Sequence, residues 1–335
     1  MRIAVCRPQV AFARGGVEIF TDDLVAELRR RGHDADLVSV PFKWYPGERV
    51  LTQTFLWRLV DLEEADGRRI DLVIATKFPS YVVRHPNKVV WLVHQFRQAY
   101  ELDRTPLGQF GESPEDRAIR RKVQQLDRLA LGEARKVFAT SRNVADRLER
   151  STGIAAEVMP HPPQELQYRC DEYGDFVLSV GRLDRAKRID LLIEAAAKSG
   201  TPVVIAGDGP ERERLESLAD GDAVRFAGRV SEEELTDLYA GCLAVFYAPV
   251  DEDFGMVPYE AFLADKPVVT TTDAGGPLEI VRDGVTGLVC EPRAEELAAA
   301  FARLNPNDAA SWGRAGHELA ERVTWDTTIG RLLAE

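Results

Sequence analysis

Glu252 and Glu260 stand eight residues apart in the stretch APVDEDFGMVPYEAFLADKPVVTTTDAGGPLEIVRDGVTGLVCEP. A strand is expected to end near Ala248, with an acidic loop after it. Phe254, Gly255, Met256 and Val257 then lead into a helix that carries Pro258 in its first turn. In this arrangement Glu252 accepts hydroxyl hydrogens from a polyhydroxylated group, and Glu260 accepts them from another part of the same ligand. The amides between them sit at a helix start, where phosphate binds. A sugar, a phosphate and a ribose in sequence fit that order of acceptors and donors. A second segment, SVGRLDRAKRIDLLIEA, ends a strand at Val180, frees the backbone at Gly181 and sets Arg182 and Lys187 before a helix. Two cations and unpaired amides at such a point suit an anion, although the segment alone also reads as a strand–turn–helix with solvated basic side chains.

Weaker signals lie elsewhere. VIAGDGPERERLE holds Gly207 and Gly209 with Pro210 opening a helix, but Arg212 or Glu213 stands where a dinucleotide fingerprint needs its third glycine. A tight structural turn is the expected role, and a nicotinamide oxidoreductase is disfavoured. His94 directly follows the strand VVWLV and by itself reads equally as a hydrogen-bonded structural histidine or a site residue. His33, His85, His161 and His317 are read as structural.

Short β-branched runs alternate with amphipathic helices along the whole chain, which points to parallel sheets built from βα units. In the first half the strand candidates are residues 3–6, 35–40, 71–76, 88–93 and 136–140, with a helix over VEIFTDDLVAELRRRG closed by Gly32. Residues 158–175 contain three prolines and a polar cluster and are read as a linker. A second series follows at 175–180, 202–207, 223–228, 243–248, 267–271 and 286–290. Helices are expected near Lys187, Pro210, Ser231, Met256, Pro277 and Arg293, and two more at the end. The expected organisation is one Rossmann-like domain over 1–165 and a second Rossmann-like domain over 166–335. The terminal helices are candidates to pack back on the first domain. Two such domains face each other across a cleft lined by carboxyl ends of strands.

Taken together these segments resemble glycosyltransferase family 4, whose E-x(7)-E motif matches Glu252 to Glu260. The likeness runs from about Arg2 to the end and is strongest over 175–292, where AGR-VSEEEL, DAGGPLEIV and DGVTGLV look like parts of the family's donor domain. The resemblance implies an α/β GT-B architecture and transfer with retention, with no required cofactor and no obligatory metal. It implies that Arg182 and Lys187 bind the donor diphosphate, Glu252 the sugar hydroxyls and Glu260 the ribose. Backbone groups of Gly181, Phe254, Gly255, Met256 and Val257 would contact donor sugar and phosphate, and Arg229 and Val230 would lie beside the base. ARGGVEIF looks like the family's glycine-rich loop, so Gly15 and Gly16 would approach the diphosphate or the acceptor. His94 matches a family histidine near the transferred sugar. Asp251, Glu252 and Asp253 also spell a D-x-D, the metal motif of single-domain glycosyltransferases, but the adjoining Phe254-Gly255 and Glu260 account for the acidic loop better.

The implied activity is transfer of a hexose-type sugar from a UDP-, GDP- or dTDP-sugar to a hydroxyl of a glycan, lipid-linked or small-molecule acceptor. Retention arises by attack on the face of departure, with the leaving phosphate taking the acceptor's proton. The rival readings are a nucleotide-sugar epimerase or hydrolase on the same fold, and a catalytically silent nucleotide-sugar-binding partner. Of the 335 residues 45% are hydrophobic and 29% charged, a globular composition, and the net charge of −12 argues against general nucleic-acid binding. That charge is uneven. Residues 1–165 hold 26 basic against 23 acidic side chains, and the remainder 17 against 32. The mildly basic first half suits an anionic lipid or a phosphorylated acceptor. Phe42, Trp44, Tyr45, Phe55 and Trp57 among Lys43, Arg49 and Arg58 are read first as core, and second as an acceptor pocket or a membrane-resting surface beside Arg117, Arg120, Arg121 and Lys122. An acceptor loop is expected over about Tyr100 to Glu115. Cys6, Cys170, Cys242 and Cys290 lack metal-ligand spacing and are expected to be buried free thiols. The sequence opens on the strand-like RIAVC and has no membrane-spanning run, so a cytoplasmic location is expected, with a peripheral position at the inner membrane face as its variant.

Overall fold

The computed structural model describes every residue except 13, 14, 106, 220, 222 and 335. The chain divides into two compact units, one of Met1–Pro162 with Trp325–Glu335, the other of Pro163–Thr324. Each is described by itself.

The first unit carries a six-stranded parallel sheet: β1 (Arg2–Gln9), β2 (Asp34–Pro41), β3 (Leu72–Ala75), β4 (Lys88–Leu92), β5 (Lys136–Ala139) and β6 (Glu157–Val158), in the order β2-β1-β3-β4-β5-β6. Its central strands are buried on both faces, and so they read as unbroken Val/Ile/Leu runs without alternation. Helix α1 (Gly16–Arg30) buries Phe20, Leu24 and Leu28 at helical spacing, and the Glu18 carboxylate reaches back to the Gly15 amide at 2.9 Å. Helix α2 (Arg49–Leu59) covers the opposite face with α3 (Pro114–Gly132), where Ser113 caps Asp116 N at 3.0 Å and Pro114 opens the first turn. Helix α4 (Arg142–Thr152) is capped by Ser141 and closed by Gly153 at φ 77°.

The second unit repeats the plan with β7 (Val177–Val180), β8 (Val203–Ala206), β9 (Val224–Gly228), β10 (Ala244–Phe246), β11 (Val268–Thr271) and β12 (Gly287–Cys290), in the order β9-β8-β7-β10-β11-β12. Its helices are α5 (Ile189–Ser199), α6 (Arg212–Leu218), α7 (Glu232–Gly241), α8 (Val257–Leu263), α9 (Ala294–Arg303) and α10 (Pro306–Ala320). Ser231 and Glu234 form the capping box of α7. The turn expected to start a helix near Pro277 is a single 3-10 turn, Gly276–Glu279, because the backbone from there is committed to the loop beside Glu252. The segment read as a linker begins inside the edge strand β6 and is otherwise free of helix and strand as far as residue 176.

The last helix, α11 (Trp325–Leu333), belongs to the first unit. Trp325, Ile329 and Leu332 are buried against the sheet face that holds Trp91 and Phe138. Arg31 meets Asp326 at 2.5 Å and Arg331 meets Glu157 at 3.3 Å. Cys6 and Cys242 are buried as expected, but Cys170 and Cys290 are only half-buried because each lies where a strand or linker runs out towards solvent.

Candidate functional site

In the second sheet the winding reverses between the neighbouring strands β7 and β10, so the loops leaving their carboxyl ends diverge and leave room for a ligand. Both loops carry residues singled out from the sequence. After β7 come Gly181 at φ 144°, the exposed Arg182, and a 3-10 turn, Arg185–Lys187, whose first amides are capped by Asp184. After β10 come Tyr247 and the acidic loop. The G-x-G turn that follows β8 supports this arrangement from beneath. A Cβ on Gly207 would lie 1.8 Å from Gly181 O, and one on Gly209 would lie 2.3 Å from Leu183 O. Glycine is needed there for backbone against backbone, as the missing third glycine suggested.

The two loops meet in one polar cluster. Lys187 Nζ pairs with the Glu252 carboxylate and lies 3.0 Å from the Tyr247 hydroxyl, which is 3.2 Å from the same carboxylate. The ammonium also sits 5.0 Å from the centre of the Tyr247 ring. Burial works against the Lys187 charge, but Tyr247 and Glu252 outweigh it and hold the pKa above its ordinary value. Arg182, two positions beyond the strand, has no side-chain hydrogen bond or ion pair among the described residues. The cluster therefore presents one compensated cation and one uncompensated cation.

Backbone bonds fix the acidic loop. Glu252 N donates to Ala274 O at 2.8 Å, Gly276 N to Glu252 O at 2.9 Å and Asp251 N to Asp273 O at 2.9 Å. Gly255, at φ 82°, passes so close to Tyr247 that a Cβ would lie 2.8 Å from its ring. Phe254 stacks on Tyr259 at 4.8 Å, both buried, and Met256 caps α8, which begins at Val257. Glu260 is half-buried in the first turn of α8. Its Oε2 accepts from Tyr239 at 2.7 Å, and burial raises its pKa against that bond. Arg229 is exposed, 3.5 Å from Asp208, while Val230 lines a cavity of about 270 Å³ with Ala227 and Leu238.

The first unit has its own reversal, between β1 and β3. The loop after β1 ends at Gly15 and Gly16, and a Cβ on Gly16 would meet nothing within 4 Å, so that face of the backbone is open. Ala13 and Arg14 of the glycine-rich loop lie outside the described residues. Lys77, just past β3, is nearly buried 3.5 Å from Glu18; burial lowers its pKa and Glu18 opposes the shift. His94, half-buried past β4, keeps Nδ1 2.6 Å from Gln95 O, a carbonyl that only accepts, which puts a proton on that nitrogen.

The remaining expectations divide. His85, His161 and His317 are engaged structurally, by Ile70 O and Asn87, by stacking on Phe20 at 4.5 Å, and by Asp265 at 2.9 Å. Trp57 is fully buried and Phe42 packs on the core, but Trp44, Tyr45 and Phe55 are exposed. Arg120 is buried against Asp103 and so leaves the exposed basic run, whereas Arg121 and Lys122 remain exposed. The segment from Tyr100 is tied down by Tyr100 to Asp127 at 2.7 Å, Glu101 to Arg97 at 2.6 Å and buried Phe110; its Pro106 lies outside the described residues. Tyr247, Tyr239, Lys77, Arg188 and Asp273 were not foreseen. Glu18 alone had a signal, its capping-box distance from Gly15.

Comparison with known proteins agrees with this fold. Among solved structures, sucrose-phosphate synthase from Thermosynechococcus elongatus superposes with a TM-score of 0.79 at 21% identity, over 99% of this chain and 98% of that one. Anabaena Alr3699/HepE in complex with UDP and glucose gives 0.71 at 19% identity, over 99% and 97%. The fold is GT-B. The family model described as Glycosyltransferase Family 4 matches residues 14–162, and that described as glycosyl transferases group 1 matches 167–319. The chain belongs to this glycosyltransferase family. Human alpha-1,3/1,6-mannosyltransferase ALG2 is 30% identical over 164 residues, 42% of this chain and 39% of that protein. The chain spans between 21% and 39% of the length of the first curated relatives it matches.

Proposed function

We propose that the protein transfers a hexose-type sugar from a nucleoside-diphosphate sugar to a hydroxyl acceptor, with retention of configuration and without a metal. The observation that carries this reading is the Lys187–Glu252–Tyr247 cluster beside uncommitted Arg182 at the reversal of the second sheet. Breaking an anomeric carbon–oxygen bond leaves negative charge on the departing diphosphate. Arg182, Lys187 and the amides about Phe254 to Val257 are the preorganised donors that meet that charge as it develops. Glu252 orients the sugar through its hydroxyls, Glu260 binds the ribose, and the acceptor's proton leaves on the phosphate oxygen as the new bond forms on the same face. Gly181 gives the diphosphate close access to the backbone, and Arg229 and Val230 flank the base. Gly15, Gly16 and His94 keep the roles the family resemblance gives them.

Solved structures titled as complexes with UDP and with UDP-glucose share the fold, which favours a nucleotide-sugar donor. A thermal-shift screen with UDP-, GDP- and dTDP-sugars tests the reading. The matching donor at 100 times its dissociation constant should stabilise the protein by about 2.7 kcal/mol. Absence of any shift across the three nucleotides would remove the donor site. Donor supplied without acceptor separates a transferase, which turns it over slowly, from a hydrolase or epimerase, which does not need the acceptor.

On the acceptor side, α2 exposes Phe55, Leu56 and Leu59, the preceding segment exposes Trp44 and Tyr45, and α3 exposes Arg121 and Lys122. Exposed apolar side chains together with exposed cations that make no ion pair among the described residues suit an anionic membrane surface. We assign the protein a peripheral position there, at the cytoplasmic face. Among the described residues no helix is long and apolar enough to cross a membrane.

A further inference from the structure

Arg188 follows Lys187 directly and stands at φ 52° and ψ 42°, in the left-handed region that disfavours any side chain with a Cβ. Glycine would occupy this position without strain. A strained backbone is kept where the side chain attached to it does something. Here the guanidinium grips Asp273 with both arms, at 2.7 and 2.5 Å, and reaches Thr271 Oγ1 at 3.3 Å. Thr271 in turn donates to the same carboxylate at 2.9 Å. The Arg188 side chain is 18% exposed and that of Asp273 43%, and the two-armed geometry holds the pair in one arrangement.

What the grip connects matters more than its strength. Asp273 opens the loop whose carbonyls and amides bind the acidic loop at Asp251 and Glu252, while Ala186 O, on the turn that carries Lys187, accepts from Val250 N at 2.8 Å. Arg188 thus ties the Lys187 turn to the loop at Asp273, whose backbone in turn holds Asp251 and Glu252. The two partners of the donor cluster come from loops after different strands, and only such cross-links set their separation.

We propose that Arg188 and Asp273 form a positioning clamp that fixes the Lys187–Glu252 geometry, so that the left-handed arginine is retained for alignment of the donor site and not for folding. The proposal rests on the donor-site reading above. Arg188 touches no substrate in this scheme.

The discriminating variant is Arg188→Gly, which relieves the backbone while deleting the clamp. Its melting temperature should stay within about 2 °C of the parent, since relief of the left-handed backbone offsets the lost ion pair. Amide exchange read by mass spectrometry should rise in peptides covering 184–188 and 250–254. Cleavage of whichever of UDP-glucose, GDP-mannose or dTDP-glucose the parent accepts should drop at least tenfold in kcat, with KM changed less than threefold. Asp273→Asn, nearly isosteric, should reproduce the defect; Arg188→Lys should restore part of it; and Arg188→Gly with Asp273→Asn should be no worse than either alone. Unchanged exchange in those peptides overturns the clamp whatever the donor is. Lys187→Ala, run in parallel, separates the failures. If it abolishes turnover while Arg188→Gly does not, the clamp is wrong and the donor site stands; if neither matters, the donor-site reading falls.

Discussion

A cation without a partner is the simplest thing to test at the level of single side chains. Arg182 is exposed and makes no ion pair among the described residues, so Arg182→Ala should leave the melting temperature unchanged. Transfer should nevertheless fall roughly 10²–10³-fold, or about 2–4 kcal/mol of transition-state stabilisation, in steady-state kinetics with the matching donor. Normal turnover would take the residue out of the mechanism. Glu252 behaves differently because it is already engaged. Glu252→Ala releases Lys187 from its carboxylate, so isothermal titration should show the nucleoside diphosphate binding as tightly as before or tighter, while sugar transfer is lost. Retained transfer would overturn its role in orienting the sugar. Arg182, Lys187, Glu252 and Glu260 were legible as candidates because each pair lies within one short motif. Tyr247, Tyr239 and the Arg188–Asp273 pair were not, because their meaning arises only when loops from separate strands converge. Before folding, Tyr247 is one more aromatic residue at the end of an apolar run.

At the level of strands and helices, the second-unit strands were visible as short apolar runs between turn residues, clearest at β7, β8 and β11, which are buried along most of their length. The edge strand β6 is two residues long and was invisible for the opposite reason. Helix α2 scatters its aromatics over buried and exposed faces alike, so its apolar residues mark no single face in the sequence. Helix α3 carries a fully buried carboxylate. Asp127 accepts from Tyr81 at 2.8 Å, Tyr100 at 2.7 Å and Gln95 at 3.3 Å, linking the helix to the segment that follows His94. Burial nevertheless dominates these bonds and lifts its pKa from 3.8 to about 6. The folded protein therefore holds a proton at Asp127 that the unfolded chain has already released, and the contribution of this carboxyl to stability falls as pH rises from about 4 to about 6. Thermal melts across that range should show this slope in the parent, amounting to roughly 3 kcal/mol in full. It should be missing in Asp127→Asn. Equal slopes in both proteins would mean that the carboxyl is ionised throughout.

On the scale of the whole chain, the charge imbalance read from the sequence, basic in the first half and strongly acidic in the second, is carried by separate units. The exposed aromatics and unpaired cations of the first unit should bind vesicles of phosphatidylglycerol and leave phosphatidylcholine vesicles alone. Flotation should weaken with added salt and with Arg121→Glu/Lys122→Glu, and be lost in Phe55→Ser/Leu59→Ser, with nucleotide binding intact in both. Flotation unaffected by either pair of substitutions would refute a membrane-facing surface here.

The final helix α11 closes the sheet of the unit that begins the chain, hiding Trp91 and Phe138 beneath Trp325, Ile329 and Leu332. Synthesis runs from the amino terminus, so a growing chain leaves the part of that face not covered by α1 exposed for as long as the intervening unit is being made. The ribosome therefore releases a first unit that must wait for its lid. A first unit expressed by itself thus needs Trp325, Ile329 and Leu332 joined to it to cover that face.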